Sequence, residues 1–452
     1  MRARQLSSPE LVQLYLDRIE RLDPQLNSFR VVLGEQALAE AEQAQARLDA
    51  GETGPLLGVP VAIKDEFDVA GQLNTMGCGT IDEPAREDSE VVRRLRAAGA
   101  IPIGITNVPE LTIWPFTETK TWGKTRNPWN PGRVPGGSSG GSGAAVAAGL
   151  APVALGSDGA GSIRIPAAWC GLFGLKVQRG RISYMPLPEH WHGMSVPGPL
   201  ARRVLDAALF LDAVAGPAPG DATAAPPPAE PFANAARQSP RPLRIAVSTK
   251  VPPLATARVS AESRSAVEAI ADLLRSLGHQ VQEHDPAYGL AFNHALRRYL
   301  RGIHDDAHAM PNQERLERRT RAVARIGGLV SAGSVARNRA AEPKVAARVN
   351  SLFREYDVLM TPVTARTAPA VGRWEGRGAI RTLNGAGWHC PFTAMWNLTG
   401  QPAAAVPAGL DSAGMPMSVQ LIAPANDEAT LLSLAAQIEA ERPWAHLRPA
   451  VG

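Results

Sequence analysis

Pro135-Gly-Gly-Ser-Ser-Gly-Gly-Ser142 and Gly156-Ser-Asp-Gly-Ala-Gly-Ser-Ile-Arg-Ile-Pro166 are the two stretches on which the reading of this chain turns. Each is a glycine-rich run that carries a serine, Ser138 in the first and Ser162 in the second. Such runs let backbone N–H groups converge on negative charge and let the main chain take conformations closed to residues with a side chain. A serine there meets substrate with donors already around it, the layout of a nucleophile beside an oxyanion hole. Gly/Ser runs more often serve as flexible linkers, but the flanks here are wrong for that. Ala144-Ala-Val-Ala-Ala-Gly-Leu150 is small, apolar and helix-compatible, so the first run opens a buried helix. The second lies between Ala151-Pro-Val-Ala-Leu155 and Ile163-Arg-Ile-Pro-Ala-Ala-Trp169, with no polar tail.

Phosphate cradles fit poorly. A Walker loop needs Gly-x4-Gly-Lys-Ser/Thr, and neither run carries a lysine. The dinucleotide pattern fails because Arg164 stands where its third glycine belongs. Gly136-Gly-Ser138-Ser-Gly140 matches the nucleophile elbow Gly-x-Ser-x-Gly in form. An elbow is entered from an apolar strand, however, and Ser138 follows Asn130-Pro-Gly-Arg-Val-Pro135. It also needs a downstream histidine, for which only His389 in Gly387-Trp-His-Cys390 is suited.

Lysine is the other available base. Only six of the 47 Lys and Arg residues are lysines, and Lys64 ends the apolar run Leu57-Gly-Val-Pro-Val-Ala-Ile63 just before Asp65-Glu-Phe-Asp68. A lysine leaving a strand commonly snorkels to water. Burial, though, disfavours the ammonium and moves the amine toward neutrality, which is what a basic lysine needs. A neutral amine can then draw a proton through one hydroxyl from a second, and one lysine with two serines suffices.

With these residues in view, the chain resembles the amidase signature family, serine hydrolases that include bacterial amidases, fatty acid amide hydrolase and the glutaminase subunit of the tRNA amidotransferase. The resemblance runs over nearly the whole length: Leu6-Ser-Ser-Pro-Glu-Leu11, Gly58-Val-Pro-Val-Ala-Ile-Lys-Asp65, Thr106-Asn-Val-Pro-Glu110, Asn127-Pro-Trp129, the Gly136 to Lys176 block, Tyr356-Asp-Val-Leu-Met-Thr-Pro362, Phe392-Thr-Ala-Met-Trp-Asn-Leu-Thr-Gly400 and Gln420-Leu-Ile422. It implies Lys64 as base, Ser138 as bridging serine after a cis Gly137–Ser138 peptide, and Ser162 as nucleophile. It implies an oxyanion hole from the N–H groups of Gly159, Ala160, Gly161 and Ser162, in a loop ordered by Asp158. Thr112, Ile113 and Trp114 align with the family's substrate pocket, and Trp191 and the region from Trp374 to Trp396 are further candidates for its wall. The implied reaction is cleavage of aryl or alkyl amides through an acyl-enzyme, with carbamates (urethanes) and esters passing through a similar intermediate. The alternative is a glutaminase subunit supplying ammonia to a tRNA-modifying partner. No cofactor is implied, and the expected assembly is a monomer or homodimer.

The chain departs from the family at Asp158-Gly-Ala-Gly-Ser162, where the usual pattern is Asp-Thr/Ile-Gly-Gly-Ser, so a methyl stands at Ala160. If that position needs positive φ, alanine is strained there; otherwise the methyl narrows the site. Gly104-Ile-Thr-Asn107 and Gly174-Leu-Lys-Val-Gln178 also differ from the usual Gly-Lys-Thr-Asn and Gly-Leu-Lys-Pro-Thr.

At 452 residues with 44% hydrophobic content the chain has material for a large core, and a net charge of +4 gives little reason to expect nucleic acid. No apolar run reaches membrane-span length, and Met1-Arg-Ala-Arg-Gln-Leu has no signal core. Three widely spaced cysteines, Cys78, Cys170 and Cys390, suit reduced buried thiols. The expected location is the cytoplasm. His304-Asp-Asp-Ala-His308 and His190-Trp-His192 lack a third ligand, so no metal is assigned; they read as a solvated helix face and a surface loop. Strand and helix patterns alternate. A capped helix opens at Ser7-Ser-Pro9, helices are read over 88–98, 262–277 and from Asp427, and strands over 57–63, 100–103, 243–247 and 417–422. This predicts an α/β fold, one domain over 1–452 with a large mixed sheet and helices on both faces. Its signature core spans about 58–180, a Pro/Ala-rich surface crossover about 215–242, and a variable substrate-side region about 290–350.

Overall fold

Strands apolar on both faces demand cover on both sides, and two neighbouring strands of this protein's sheet, 60–64 and 153–158, are of that kind. The computed structural model describes residues 5–253 and 255–452. The strands are β1 (Phe29–Val32), β2 (Pro60–Lys64), β3 (Ile101–Thr106), β4 (Glu118–Thr119), β5 (Gly123–Lys124), β6 (Val153–Asp158), β7 (Phe173–Lys176), β8 (Val196–Ala201), β9 (Arg244–Val247), β10 (Gln280–Glu283), β11 (Val358–Pro362), β12 (Ala403–Leu410) and β13 (Pro416–Ile422). Apart from the β4–β5 hairpin they form one 11-stranded sheet, in the order β1-β3-β2-β6-β8-β7-β12-β13-β11-β9-β10. β3, β2 and β6 are parallel, the strands from β6 through β8, β7, β12 and β13 to β11 alternate, and β11, β9 and β10 are parallel again. The sheet is mixed, as predicted.

Every residue of β2 and β6 is buried. Alternation sends Val61 and Ile63 into one core and Ala62 into another on the opposite face. Helices supply the cover. Ser8–Leu26 starts with a capping box between Ser7 and Glu10 and buries Val12, Ile19 and Leu26. Glu90–Ala97, Ala261–Ser276 and Glu428–Glu441 lie where the periodicity placed them. The first glycine run is already helical from Gly140, and Gly140–Ala147 has no exposed residue. Its Ser142 hydroxyl meets Thr106 Oγ1 at 2.8 Å and Leu155 O at 3.1 Å, so this helix is wedged between β3 and β6.

The stretch 215–242 contains a helical turn, Phe232–Ala235, whose Phe232 and Ala233 pack on the helix Val204–Val214. Residues 290–350 fold as the helices Ala291–Ala309, Arg318–Gly328 and Ala332–Val349. No helix among the described residues is long and apolar enough to cross a membrane.

Candidate active site

Lys64 is the last residue of β2 and is fully buried. Its Nζ donates to Ser138 Oγ at 2.8 Å and to Ser157 Oγ at 2.6 Å, and pairs with Glu66 Oε2 at 2.6 Å. Burial pushes the amine below its ordinary value, while Glu66 and Asp158 pull it back up. The Glu66 carboxyl is raised by the same burial, but Lys64, His190 and the hydrogen bonds it accepts prevail and bring it to about 2. Ser138 follows a cis Gly137–Ser138 peptide and is buried.

The two glycine runs meet through Ser139. Its N–H donates to Ser162 O at 3.3 Å, its Oγ donates to Ser157 O at 3.2 Å, and it accepts from Ser157 N–H at 3.3 Å. Ser162 is half-buried, open enough to meet a ligand. No hydrogen bond among the described residues joins its hydroxyl to Ser138. Asp158 orders the second run by accepting from the N–H groups of Gly161 (2.7 Å), Ile163 (3.2 Å) and Arg164 (3.4 Å). The Gly161 N–H is thereby committed to the loop itself, while the N–H groups of Gly159, Ala160 and Ser162 have no acceptor among the described residues. Positive φ falls on Gly161 (125°), where a Cβ would lie 2.5 Å from Thr393 Oγ1. Ala160 is not among the positive-φ residues, so alanine is not strained there.

Arg164 anchors this loop from behind. It is fully buried and grips Asp158 through Nε to Oδ2 (2.9 Å) and Nη2 to Oδ1 (2.8 Å). Its remaining donors reach Gln420 Oε1 (2.6 Å), Asn397 Oδ1 (2.6 Å) and Thr393 O (3.1 Å). The guanidinium outweighs the burial that raises the Asp158 carboxyl and holds it well below the usual range. Sequence reading singled out the segments containing Thr393, Asn397 and Gln420 but assigned them no task. Their common target is a charge in the middle of the core, which no local pattern reveals.

On the outer side, Thr112, Ile113 and Trp114 are all buried. Leu111 and Thr112 have φ of 49° and 56°, and a β-branched residue in that region is a true outlier, costing about 1–3 kcal/mol. The strained turn is tied down by Leu111 N–H to Met76 O (2.7 Å), by Tyr299 donating to Ile113 O, and by Glu110, which accepts from Glu317 N–H at 2.9 Å. Trp114 stacks on Phe116 and Phe116 on Trp374, with ring centroids 5.7 and 4.5 Å apart. The Arg319 guanidinium lies 5.1 Å from the Trp114 ring.

The reading of His190-Trp-His192 as a surface loop is corrected. His190 and Trp191 are buried, because Trp191 lies against Gly159, where a Cβ would come within 2.6 Å of its ring, and its Nε1 donates to Asp306 at 2.7 Å. His190 Nε2 meets the same Asp306 at 3.1 Å, while its Nδ1 faces Glu66 at 3.4 Å. His304 and His308 stand on the helix Ala291–Ala309, the latter exposed. His389, the base an elbow would need, is turned back on Gly385 O at 2.7 Å within its own helix. Among the described residues no three His, Cys, Asp or Glu side chains form a metal-holding group.

The amidase family model matches residues 10–432. A Mycobacterium tuberculosis protein named "Putative amidase AmiB2" is 54% identical over 447 residues, covering 99% of this chain and 95% of its own. A solved structure of 6-aminohexanoate cyclic dimer hydrolase complexed with substrate superposes with a TM-score of 0.90 at 34% identity, covering 100% of this chain and 97% of that one. A bacterial aryl acylamidase of the amidase signature family gives a TM-score of 0.87 at 25% identity, over 98% and 95% of the two chains. Matched over nearly all of its length in sequence and in fold, the chain belongs to the amidase family and is an amide-hydrolysing enzyme.

Proposed function

We propose that this amidase is a stand-alone hydrolase of small, largely apolar carboxylic amides, aryl and alkyl, and that it works through an acyl-enzyme on Ser162. The observation that carries the reading is the direct 2.8 Å contact between a lysine shut away from water and the Ser138 hydroxyl. In its neutral form Lys64 accepts the proton of Ser138 as Ser138 takes the proton of Ser162. Ser162 Oγ attacks the acyl carbon, and the oxyanion is met by the N–H groups of Gly159, Ala160 and Ser162. The proton returns through Ser138 to the leaving nitrogen, the C–N bond breaks, and water repeats the cycle to release the acid.

The aromatic stack of Trp114, Phe116 and Trp374 beside the strained Thr112 turn supports an apolar acyl or aryl group. Similarity to a hydrolase of 6-aminohexanoate cyclic dimer and to an aryl acylamidase favours the same class. Carbamates and esters share the tetrahedral intermediate and belong on the substrate list. The test is a panel of anilide, alkyl amide, carbamate and ester substrates given to the purified single chain. Hydrolysis of the anilide or alkyl amide is the expected result. Activity appearing only with a second subunit and glutamine would move the assignment to an ammonia-supplying role.

A further inference from the structure

An ammonium has three N–H donors and no acceptor. At Lys64 all three are taken, by Ser138, Ser157 and Glu66. A carboxylate in direct contact favours the charged form of the amine, and a charged base must lose a proton before it can act. Its neighbour Glu66 is a poor place to put that proton. Glu66 Oε2 already accepts from Ser157 Oγ at 2.5 Å and faces Lys64, and its Oε1 accepts from Tyr184. A carboxylate that accepts several hydrogen bonds keeps its charge. Behind it stand His190, 3.4 Å away, and the Asp306 to which His190 and Trp191 are bound. Asp158 is the other anion acting on Lys64, and it is occupied by Arg164.

We infer that Glu66 is a positioning residue that holds Lys64 as an ammonium in the resting enzyme and thereby sets the pH at which the base becomes available, with Tyr184 tuning the strength of that hold. This inference rests on the assignment of Lys64 as the base. Glu66 supplies the carboxylate that faces Lys64 and Tyr184 donates to that same carboxylate, so altering them separately gives opposite signs. Glu66→Gln removes the negative charge and keeps the shape. Lys64 then loses its proton more readily, and the acidic limb of the kcat/KM profile moves to lower pH by about one to three units, the scale of a close charge partner. Tyr184→Phe removes one hydrogen bond from the carboxylate and leaves its charge. The hold tightens, and the limb moves to higher pH by less than about one unit.

The experiment measures kcat/KM against pH on one anilide for wild type, Glu66→Gln, Tyr184→Phe and Lys64→Ala, with a thermal melt of each. Opposite displacements in the two partner variants are the expected result. A Glu66→Gln profile lowered at every pH but with an unmoved limb would mean that Glu66 only supports packing, and the inference would be wrong. Should Glu66→Gln fail to fold, a Tyr184→Phe limb unmoved or shifted down overturns it as well. A limb retained in Lys64→Ala overturns the base assignment, and this inference with it; a limb lost there, with Glu66→Gln unmoved, overturns the inference alone.

Discussion

Two buried ion pairs stand behind Ser162, Lys64–Glu66 at the end of β2 and Arg164–Asp158 beneath the second glycine run. Both cations are fully shielded from water. They differ in what surrounds them. Arg164 spends its fork on acceptors that hold no mobile proton, namely a carboxylate, two side-chain amides and a carbonyl. Lys64 faces two serine hydroxyls besides its carboxylate. A guanidinium stays charged in any protein environment, whereas an ammonium shifts readily when buried. The first pair braces a loop, whereas the second lies against hydroxyls that carry protons, which is what the proposed role of Lys64 as base requires.

The comparison can be broken at several points. Ser162→Ala removes the atom both pairs serve, and turnover should fall by at least about 10⁴-fold; a fluorophosphonate probe that still labels this variant would refute the nucleophile. Lys64→Ala should lose about 10²–10⁴-fold while remaining folded. In wild type kcat/KM should rise with pH, because the neutral amine is the active form, and its midpoint should lie below the ordinary lysine value, as burial dictates. A Lys64→Ala profile of the same shape and height as wild type would mean another base. Ser138→Ala should also be severely impaired, and an unchanged rate would mean that the proton passes to Lys64 without it.

Arg164→Met should act on stability instead, leaving the Asp158 charge buried and unpaired at about 3–5 kcal/mol, read by denaturant unfolding. If that variant melts like wild type and loses only kcat, the brace reading fails. The smallest effect is expected at Ala160. Ala160→Gly should keep the chemistry and change kcat/KM ratios among amides of increasing acyl bulk by about 1–2 kcal/mol. A uniform loss across the series would show that the methyl tunes the oxyanion donors and not the fit.

Much of this arrangement was legible in the linear chain. The apolar run into Lys64, the small residues around Ser138 and Ser162, and the helix periodicities all express local requirements, and the corresponding strands and helices form where those requirements place them. The loop of His190 and Trp191 was misread because its neighbours are polar and aromatic, as in a surface turn. Its burial comes from Asp306, over a hundred positions away on another helix, and from the bare face of Gly159. That Asp158 orders the second glycine run was readable; that its bond takes the Gly161 N–H out of the anticipated donor set was not, since a glycine in sequence carries no sign of where its amide points.

What the sequence determined by itself was the alternation of apolar strands and amphipathic helices, and the placing of Lys64 at the end of an apolar run and of Ser138 and Ser162 in glycine-rich runs. Hydrophobic period and steric freedom are properties of neighbouring residues, so they can be read in order. Only the tertiary structure decided that Glu66 and Ser157 complete the donor set of Lys64, that Arg164 gathers Asp158, Asn397 and Gln420, and that Arg319 lies over the aromatic wall. Buried charge must find partners wherever the fold brings them, and those partners come from distant strands and helices.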